Sequence, residues 1–384
     1  MNVLFISHCN FRGNSAIHIF SIANQLSDLG VNCVVCVPDD ESTVTEHGTP
    51  KFTAISYANA YAAPVVFPNG QGADVIHAWT PRELVRKLTL RLAVQGRAKY
   101  VVHLEDNEDV ILETELGTAK YAELYRLTKE AMDEIVPTHR SHPLRYREFL
   151  ASASGVTAVI DRLLEFKPSN IPGLVFWPGF DPQFLNLDCL EDSRRQYGFL
   201  EKESVLVYNG NIHETNASEV RSLFLAVQAL RRSGRHITLL KTGGQYIAAT
   251  WIQEAVENGA VLELGFLPRS RLYSILRIAD VLVQPGRAGR FNDYRFPSKL
   301  PEFFASGKPV ILPRTNLGLS VRDSVEAMLL DSGDAIEIAQ KIELILDDAS
   351  LAARIGAAGK QFAIERLSWS KNVPALKDFY ARLR

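Results

Sequence analysis

The chain begins the same local pattern twice. VLFISHCNFRGNSAIHIF, from Val3 to Phe20, and VLVYNGNIHETNASEVRSLF, from Val205 to Phe224, each read as an apolar strand, a polar loop and a helix. A short, nearly unbroken apolar run is what a strand buried on both faces requires, and such strands build parallel sheets covered by helices. The repetition therefore predicts an α/β chain of two doubly wound, Rossmann-like domains in series. Its 384 residues suit that reading, because a single core stops growing beyond about 250–300 residues.

Further strands are predicted in the first half at Val31–Val37, Asp74–Ala78, Tyr100–Leu104, Gly155–Ile160 and Leu174–Trp177, with a helix from Ser15 to Leu29 closed by Gly30. The second half continues with a helix from Ala217 to Arg232 and strands at His236–Lys241, Val261–Leu264 and Ala279–Gln284. WPGFDPQFLN (177–186) reads as the linker, and Trp369–Leu383 as a closing helix with no strand after it. The expected domains are 1–182 and 183–366, with 367–384 as a terminal helix. Ligands in such sheets sit beyond the carboxyl ends of the strands, so two facing domains predict a central cleft.

Composition removes several functions. The formal net charge of −2 leaves no global basic field for nucleic acid. No run approaches the roughly 18 apolar residues of a membrane span, and the N-terminus lacks the basic flank of a secretory signal. Cys33 and Cys36 form a C-x-x-C inside the strand-like VNCVVCVP, away from the helix N-terminus that activates a redox thiolate. They read as core residues, and with Cys9 and Cys189 they fit a cytoplasmic protein.

The chemistry concentrates in ADVLVQPGRAGRFNDYRFPSKLPEFFASGKPVILP, Ala279 to Pro313. Pro297 and Ser298 signal a helix start, with Ser298 as N-cap, Pro301 in the first turn and Gly307 at the end. A helix N-terminus suits a diphosphate, and Lys299 adds a cation there. Glu302 lies one turn beyond Ser298 on the same face, and a carboxylate can accept hydrogen bonds from both hydroxyls of a ribose. The plainer reading, a cap and a dipole complement, fits either residue alone. It fits the set less well, because the preceding loop carries Arg287, Arg290, Asn292, Asp293 and Arg295.

FPSKLPEFFASGKPVI resembles the donor-binding signature of GT-B retaining glycosyltransferases of the family-4 kind. WPGFDPQF is similar to that family's interdomain segment, and VLVYNGN to its first C-terminal strand and loop. LELGFLPRSRLYSILRIADVLVQPG is similar to the base-binding strand, loop and helix. RLSWSKNVPALKDFYARL resembles the helix that returns to the N-terminal domain. The resemblance implies transfer of a hexose from a nucleoside diphosphate sugar, a UDP-sugar such as UDP-glucose or UDP-GlcNAc, with retention. The acceptor would be a saccharide or lipid-linked saccharide of a bacterial envelope polysaccharide. Domain 1–182 would bind the acceptor and 183–366 the donor. No cofactor is implied, and a metal is not expected to be required.

By the same resemblance the donor would touch Gly13 and Asn14 after the first strand, Gly210 and Asn211 after Val205–Tyr208, Lys241, and Phe266 and Leu267 in the base loop. Asn292, Asp293, Pro297, Ser298, Lys299 and Glu302 complete the set. Catalysis would rest on Lys299 and Arg287 at the leaving diphosphate and on Glu105, within HLEDNED (103–109), near the transferred sugar. Asp106 is the alternative to Glu105, and a metal site or a solvated acidic loop are competing readings of that cluster.

Two departures stand out. Tyr294 occupies the first position of the family's Glu-x7-Glu motif, leaving Asp293 to replace it. GNIHETN lacks the usual Arg and Lys, so the cations must come from Lys241, Arg287, Arg290, Arg295 or Lys299. The stretch PRELVRKLTLRLAVQGRAK carries Arg82, Arg86, Lys87, Arg91, Arg97 and Lys99 against Glu83. It is either a solvated amphipathic helix or a peripheral contact with the inner face of a membrane. Competing functions are a non-hydrolysing sugar-nucleotide epimerase, which would isomerise the donor without acceptor, and an inactive polysaccharide-assembly subunit, which would turn nothing over.

Overall fold

Seven strands follow one another in the first half: β1 (Asn2–Ile6), β2 (Asn32–Val37), β3 (Thr53–Ser56), β4 (Val75–Trp79), β5 (Lys99–Leu104), β6 (Gly155–Ala158) and β7 (Gly173–Val175). In the computed structural model, which describes residues 1–185, 193–200 and 202–383, they form one sheet in the order β3-β2-β1-β4-β5-β6-β7. Every pairing is parallel; Phe5 of β1 lies between Val35 of β2 and His77 of β4. β1 and β4 are buried along their whole length, as runs that are apolar except for Asn2 and His77 require.

The second sheet contains β8 (Ser204–Asn209), β9 (Ile237–Thr242), β10 (Val261–Glu263), β11 (Val281–Val283), β12 (Val310–Pro313) and β13 (Met328–Leu330). Its order, β10-β9-β8-β11-β12-β13, is again parallel throughout. Both sheets therefore reverse strand order beside their first strand, the place where α/β folds bind ligands. In the first sheet that place lies past β1 and β4, and in the second past β8 and β11.

The chain divides into unit 1, Met1–Gly179 with Tyr294–Phe296 and Trp369–Arg384, and unit 2, Phe180–Asp293 with Pro297–Ser368. The Trp369–Leu383 helix joins unit 1 through Trp369, Val373, Leu376, Phe379 and Tyr380, a three-to-four spacing that puts them on one face. They pack with Ile19, Ile22 and Leu26 of the Asn14–Asp28 helix against Val3, Phe5 and Val35. Burial of each large side chain contributes about 1.5–3 kcal/mol, so this stripe holds the terminal helix on unit 1.

Cys33 and Cys36 are buried strand residues with free thiols; Cys189 and Asn186 lie outside the described residues. β3 escaped the sequence reading because TAIS is a four-residue edge strand with little apolar signal. The basic stretch forms a helix, Glu83–Gly96, that buries Val85, Leu88 and Leu92. Its cations are partly spent: Arg86 is bidentate on Glu83, Arg82 pairs with Glu108, and Arg91 lies over the Tyr61 ring. Among the described residues no helix is long and apolar enough to cross a membrane.

Candidate functional site

In unit 2 the ends of β8 and β11 and the loops after them bring five residues together. Lys299 Nζ donates to Gln284 Oε1 at 2.9 Å, just past β11, and stands 4.6 Å from the centroid of the Tyr208 ring in β8. Gly210 lets it do so. A Cβ built there would meet Lys299 Nζ at 2.6 Å and the Tyr208 hydroxyl at 2.9 Å. Asn211 closes the same corner, because its side chain accepts from Gly244 N at 2.7 Å and its carbonyl from Tyr208 Oη at 3.1 Å. An ammonium beside a bare backbone at a strand-order reversal can take an anionic oxygen.

Glu302 is buried on the short Leu300–Ala305 helix, where its carboxylate accepts from Arg269. Phe266, past β10, is 78% exposed, and Leu267 beside it is half-buried. Large aromatics are seldom left so open, and a flat ring at the carboxyl edge of the sheet can stack a nucleobase. Arg287 and Arg290 are exposed on the β11 loop, and Arg295 falls in the segment grouped with unit 1.

Several expectations need correction. Ser298 does not cap the helix. The cap position is Lys299, no side chain bonds the first turn, and only six residues are helical. Pro297 instead accepts Leu300 N at 3.0 Å, which makes Pro297–Leu300 a turn and leaves Lys299 as the main source of positive charge. Lys241 cannot neutralise a phosphate, because it is fully buried and donates to Glu263 at 2.6 Å and to the Gly243 carbonyl at 2.8 Å. Asn292 is buried, donating to Glu219 and to the Arg287 carbonyl. Asp293 Oδ1 accepts from Gly289 N at 3.1 Å and from Thr315. Both side chains thus brace the loop instead of opening onto a sugar. Tyr294 bonds Glu165 at 2.9 Å.

In unit 1 the corresponding place is polar and crowded. Gly13 precedes the Asn14–Asp28 helix, and a Cβ there would meet Cys9 Sγ at 2.3 Å; Asn14 is exposed. Glu105 follows β5, accepts from Ser15, and lies 3.7 Å from His18 Nδ1. Burial works to raise its carboxyl, but His18, with His103 and His8, outweighs burial and holds it below the usual carboxylate range. Its neighbour Asp106 is pushed the other way, up to about 7, first by burial and then by the charges of Glu105 and Glu108. Two adjacent carboxyls thus hold different protonation states near neutrality, an arrangement suited to acid–base work.

Sequence reasoning missed the surroundings of this pair. His8 Nδ1, His18 Nδ1, Trp79 Nε1, Thr80 Oγ1 and His103 Nε2 are buried polar atoms with no hydrogen-bond partner among the described residues. Thr80, at the end of β4, has φ of 73°, and such strain in a non-glycine residue clusters at functional sites. Burial pushes His8 down to about 3 and His103 down to about 4, leaving both neutral at pH 7. Of these, His103, which opens HLEDNED, and His8, in the loop after the first strand, carried a positional signal. Among the described residues no group of three or more His, Cys, Asp or Glu side chains is placed to hold a metal ion.

Residues 203–348 match the family model for glycosyl transferases group 1. D-inositol 3-phosphate glycosyltransferase of Corynebacterium diphtheriae is 27% identical over 198 residues, 50% of this chain and 45% of that protein. The Thermobifida fusca enzyme of the same name is 25% identical over 215 residues, 53% of this chain and 48% of its own. The chain therefore spans about half the length of the curated relatives it matches. HepE of Anabaena, solved with UDP and glucose, superposes over 100% of both chains with a TM-score of 0.71 at 16% identity. WaaG, a glycosyltransferase involved in lipopolysaccharide biosynthesis, covers 98% of this chain and 99% of its own with a TM-score of 0.62 at 15% identity. These two likenesses establish the fold: two Rossmann-like sheets of the GT-B kind.

Proposed function

We propose that this chain, whose residues 203–348 match the family model for glycosyl transferases group 1, transfers a hexose from a nucleoside diphosphate sugar, a UDP-sugar, to a saccharide or lipid-linked acceptor with retention. The observation that carries the reading is Lys299, held by Gln284 and Tyr208 over Gly210 at the strand-order reversal of unit 2. A diphosphate placed there meets a fixed ammonium and bare backbone, with Glu302 close in sequence for the ribose and Phe266 for the base. The solved complex of HepE with UDP and glucose supports a uridine diphosphate donor.

In the proposed reaction Lys299, aided by Arg287, stabilises charge on the departing diphosphate, and the diphosphate takes the proton of the attacking hydroxyl. Preorganised cations at a developing anion are commonly the largest catalytic contribution. In unit 1 we assign Glu105 to the transferred sugar and domain 1–182 to the acceptor. A thermal-shift panel of UDP-, GDP- and ADP-sugars tests the donor, followed by radiolabelled transfer to envelope saccharides. A shift with one donor and label in the acceptor support the reading; no shift with any donor overturns it. Isomerised donor in the absence of acceptor would identify an epimerase instead.

A further inference from the structure

The Glu302 side chain is only 8% exposed, and Arg269 Nη2 donates to its Oε1. The guanidinium belongs to a side chain that is 29% exposed and is itself held. Its Nε lies 3.8 Å from Asp181 Oδ2, which also accepts the Tyr273 hydroxyl at 2.8 Å. The Phe184 ring centroid is 5.7 Å from Arg269 Cζ, and that ring packs on Tyr273 with centroids 4.3 Å apart. Three separate stretches of unit 2 thus converge on one carboxylate: the start of the unit, the Arg269–Ile278 helix and the Leu300–Ala305 helix.

A carboxylate this buried takes up a proton unless a counter-charge holds it off. Once protonated it loses acceptor capacity, and two neighbouring hydroxyls need two acceptor positions on an ionised group. A guanidinium bonded to one oxygen supplies the charge and fixes the orientation of the other. Asp181 faces the same guanidinium through its Nε, 3.8 Å away.

We propose that Arg269 is a positioning residue that sets nucleotide specificity: anchored by Asp181, it keeps Glu302 ionised and aimed so that the site reads the ribose 2′- and 3′-hydroxyls of the donor. The inference rests on the ribose reading of Glu302 given above. Arg269 need not touch the nucleotide to exert it.

The test is calorimetric titration of the whole protein with UDP and GDP, each beside its 2′,3′-dideoxy analogue. The wild type should prefer the ribonucleotide by about ten- to a hundredfold, the usual size of hydrogen bonds to a charged group. Arg269→Gln should lose at least tenfold of that preference while affinity for the dideoxy analogue stays within about twofold. Raising the pH from 6 to 9 should restore part of the preference in the variant, as Glu302 deprived of the Arg269 charge ionises, and leave the wild type unchanged. Arg269→Lys, which keeps the charge without the fork, should fall between the two and remains informative if the glutamine variant does not fold. Undiminished discrimination in both variants, or tighter ribonucleotide binding by either, overturns the inference alone. A wild type that binds neither ribonucleotide, or cannot tell it from its analogue, overturns the ribose reading and the inference with it.

Discussion

The ammonium of Lys299 stands over the face of Tyr208, 4.6 Å from the ring centroid, and Gln284 fixes it sideways at 2.9 Å. A cation over an aromatic face is held by about 0.5–2 kcal/mol, enough to place it without immobilising it. Lys299→Ala should lower kcat by about 10²–10³, as removal of a preorganised charge donor does, while donor affinity changes only a few-fold. Tyr208→Leu should lower kcat by a smaller factor through loss of alignment. Steady-state transfer kinetics with calorimetry checks both; a Lys299 variant that turns over like the wild type ends the assignment.

Gly210 is constrained from the other side of the same contact. With 2.6 Å to Lys299 Nζ and 2.9 Å to Tyr208 Oη from a built Cβ, Gly210→Ala must push the lysine away. The far end of a flexible side chain can move, so the change in stability should stay within about 1 kcal/mol. Nucleoside diphosphate affinity should fall by about tenfold, or 1.4 kcal/mol, more than in Lys299→Ala, because the new methyl also covers the bare backbone offered to the diphosphate. Urea denaturation and calorimetry on one preparation separate the two effects.

Asp106 should make stability fall as pH rises. Its folded carboxyl is pushed up to about 7 by burial and by Glu105 and Glu108, against an ordinary value of 3.8. Between those values the unfolded chain has lost the proton and the folded protein keeps it, so unfolding is favoured progressively and the effect levels off above pH 7. The difference between pH 4 and pH 8 should be about 2–4 kcal/mol, and Asp106→Asn should remove it. Chemical denaturation across that range decides, and equal pH slopes in variant and wild type would remove the assignment.

A buried chain of hydrogen bonds fixes the tautomers of two histidines. Tyr380 Oη meets His77 Nδ1 at 2.6 Å, His77 Nε2 meets Thr157 Oγ1 at 2.9 Å, and Thr157 Oγ1 meets His103 Nδ1 at 2.7 Å. We predict that the fully buried phenol is the donor to His77, which makes each following group donate onward and puts the His103 proton on Nε2. Burial holds His77 well below its ordinary value and His103 down to about 4, so both are neutral at pH 7. Nitrogen-15 spectra of labelled histidine should show the Nε2–H tautomer at both sites. Tyr380→Phe should mix the tautomers and cost about 1–3 kcal/mol.

The sheets were legible because strands buried on both faces write continuous apolar runs, as at Val3–Ile6 and Val205–Tyr208. The Ala217–Arg232 and Trp369–Leu383 helices fall where their apolar spacing puts them. Local signals failed where partners come from afar. Ser298 has the chemistry of a cap, yet the Pro297–Leu300 turn delays the helix. Lys241 looked like a phosphate ligand until Glu263 of the neighbouring strand was beside it.

The order of apolar and polar segments alone determined two doubly wound units, and the run from Pro297 to Gly307 marked the segment proposed to bind the donor. Only tertiary structure decided which charges are spent and which remain. Asn292 and Asp293 brace a loop, Glu302 is matched to Arg269 across 33 positions, and Asp106 differs from Glu105 although they adjoin in the chain. The physical reason is that periodicity is a property of neighbours in sequence, whereas ionisation and hydrogen bonding depend on neighbours in space.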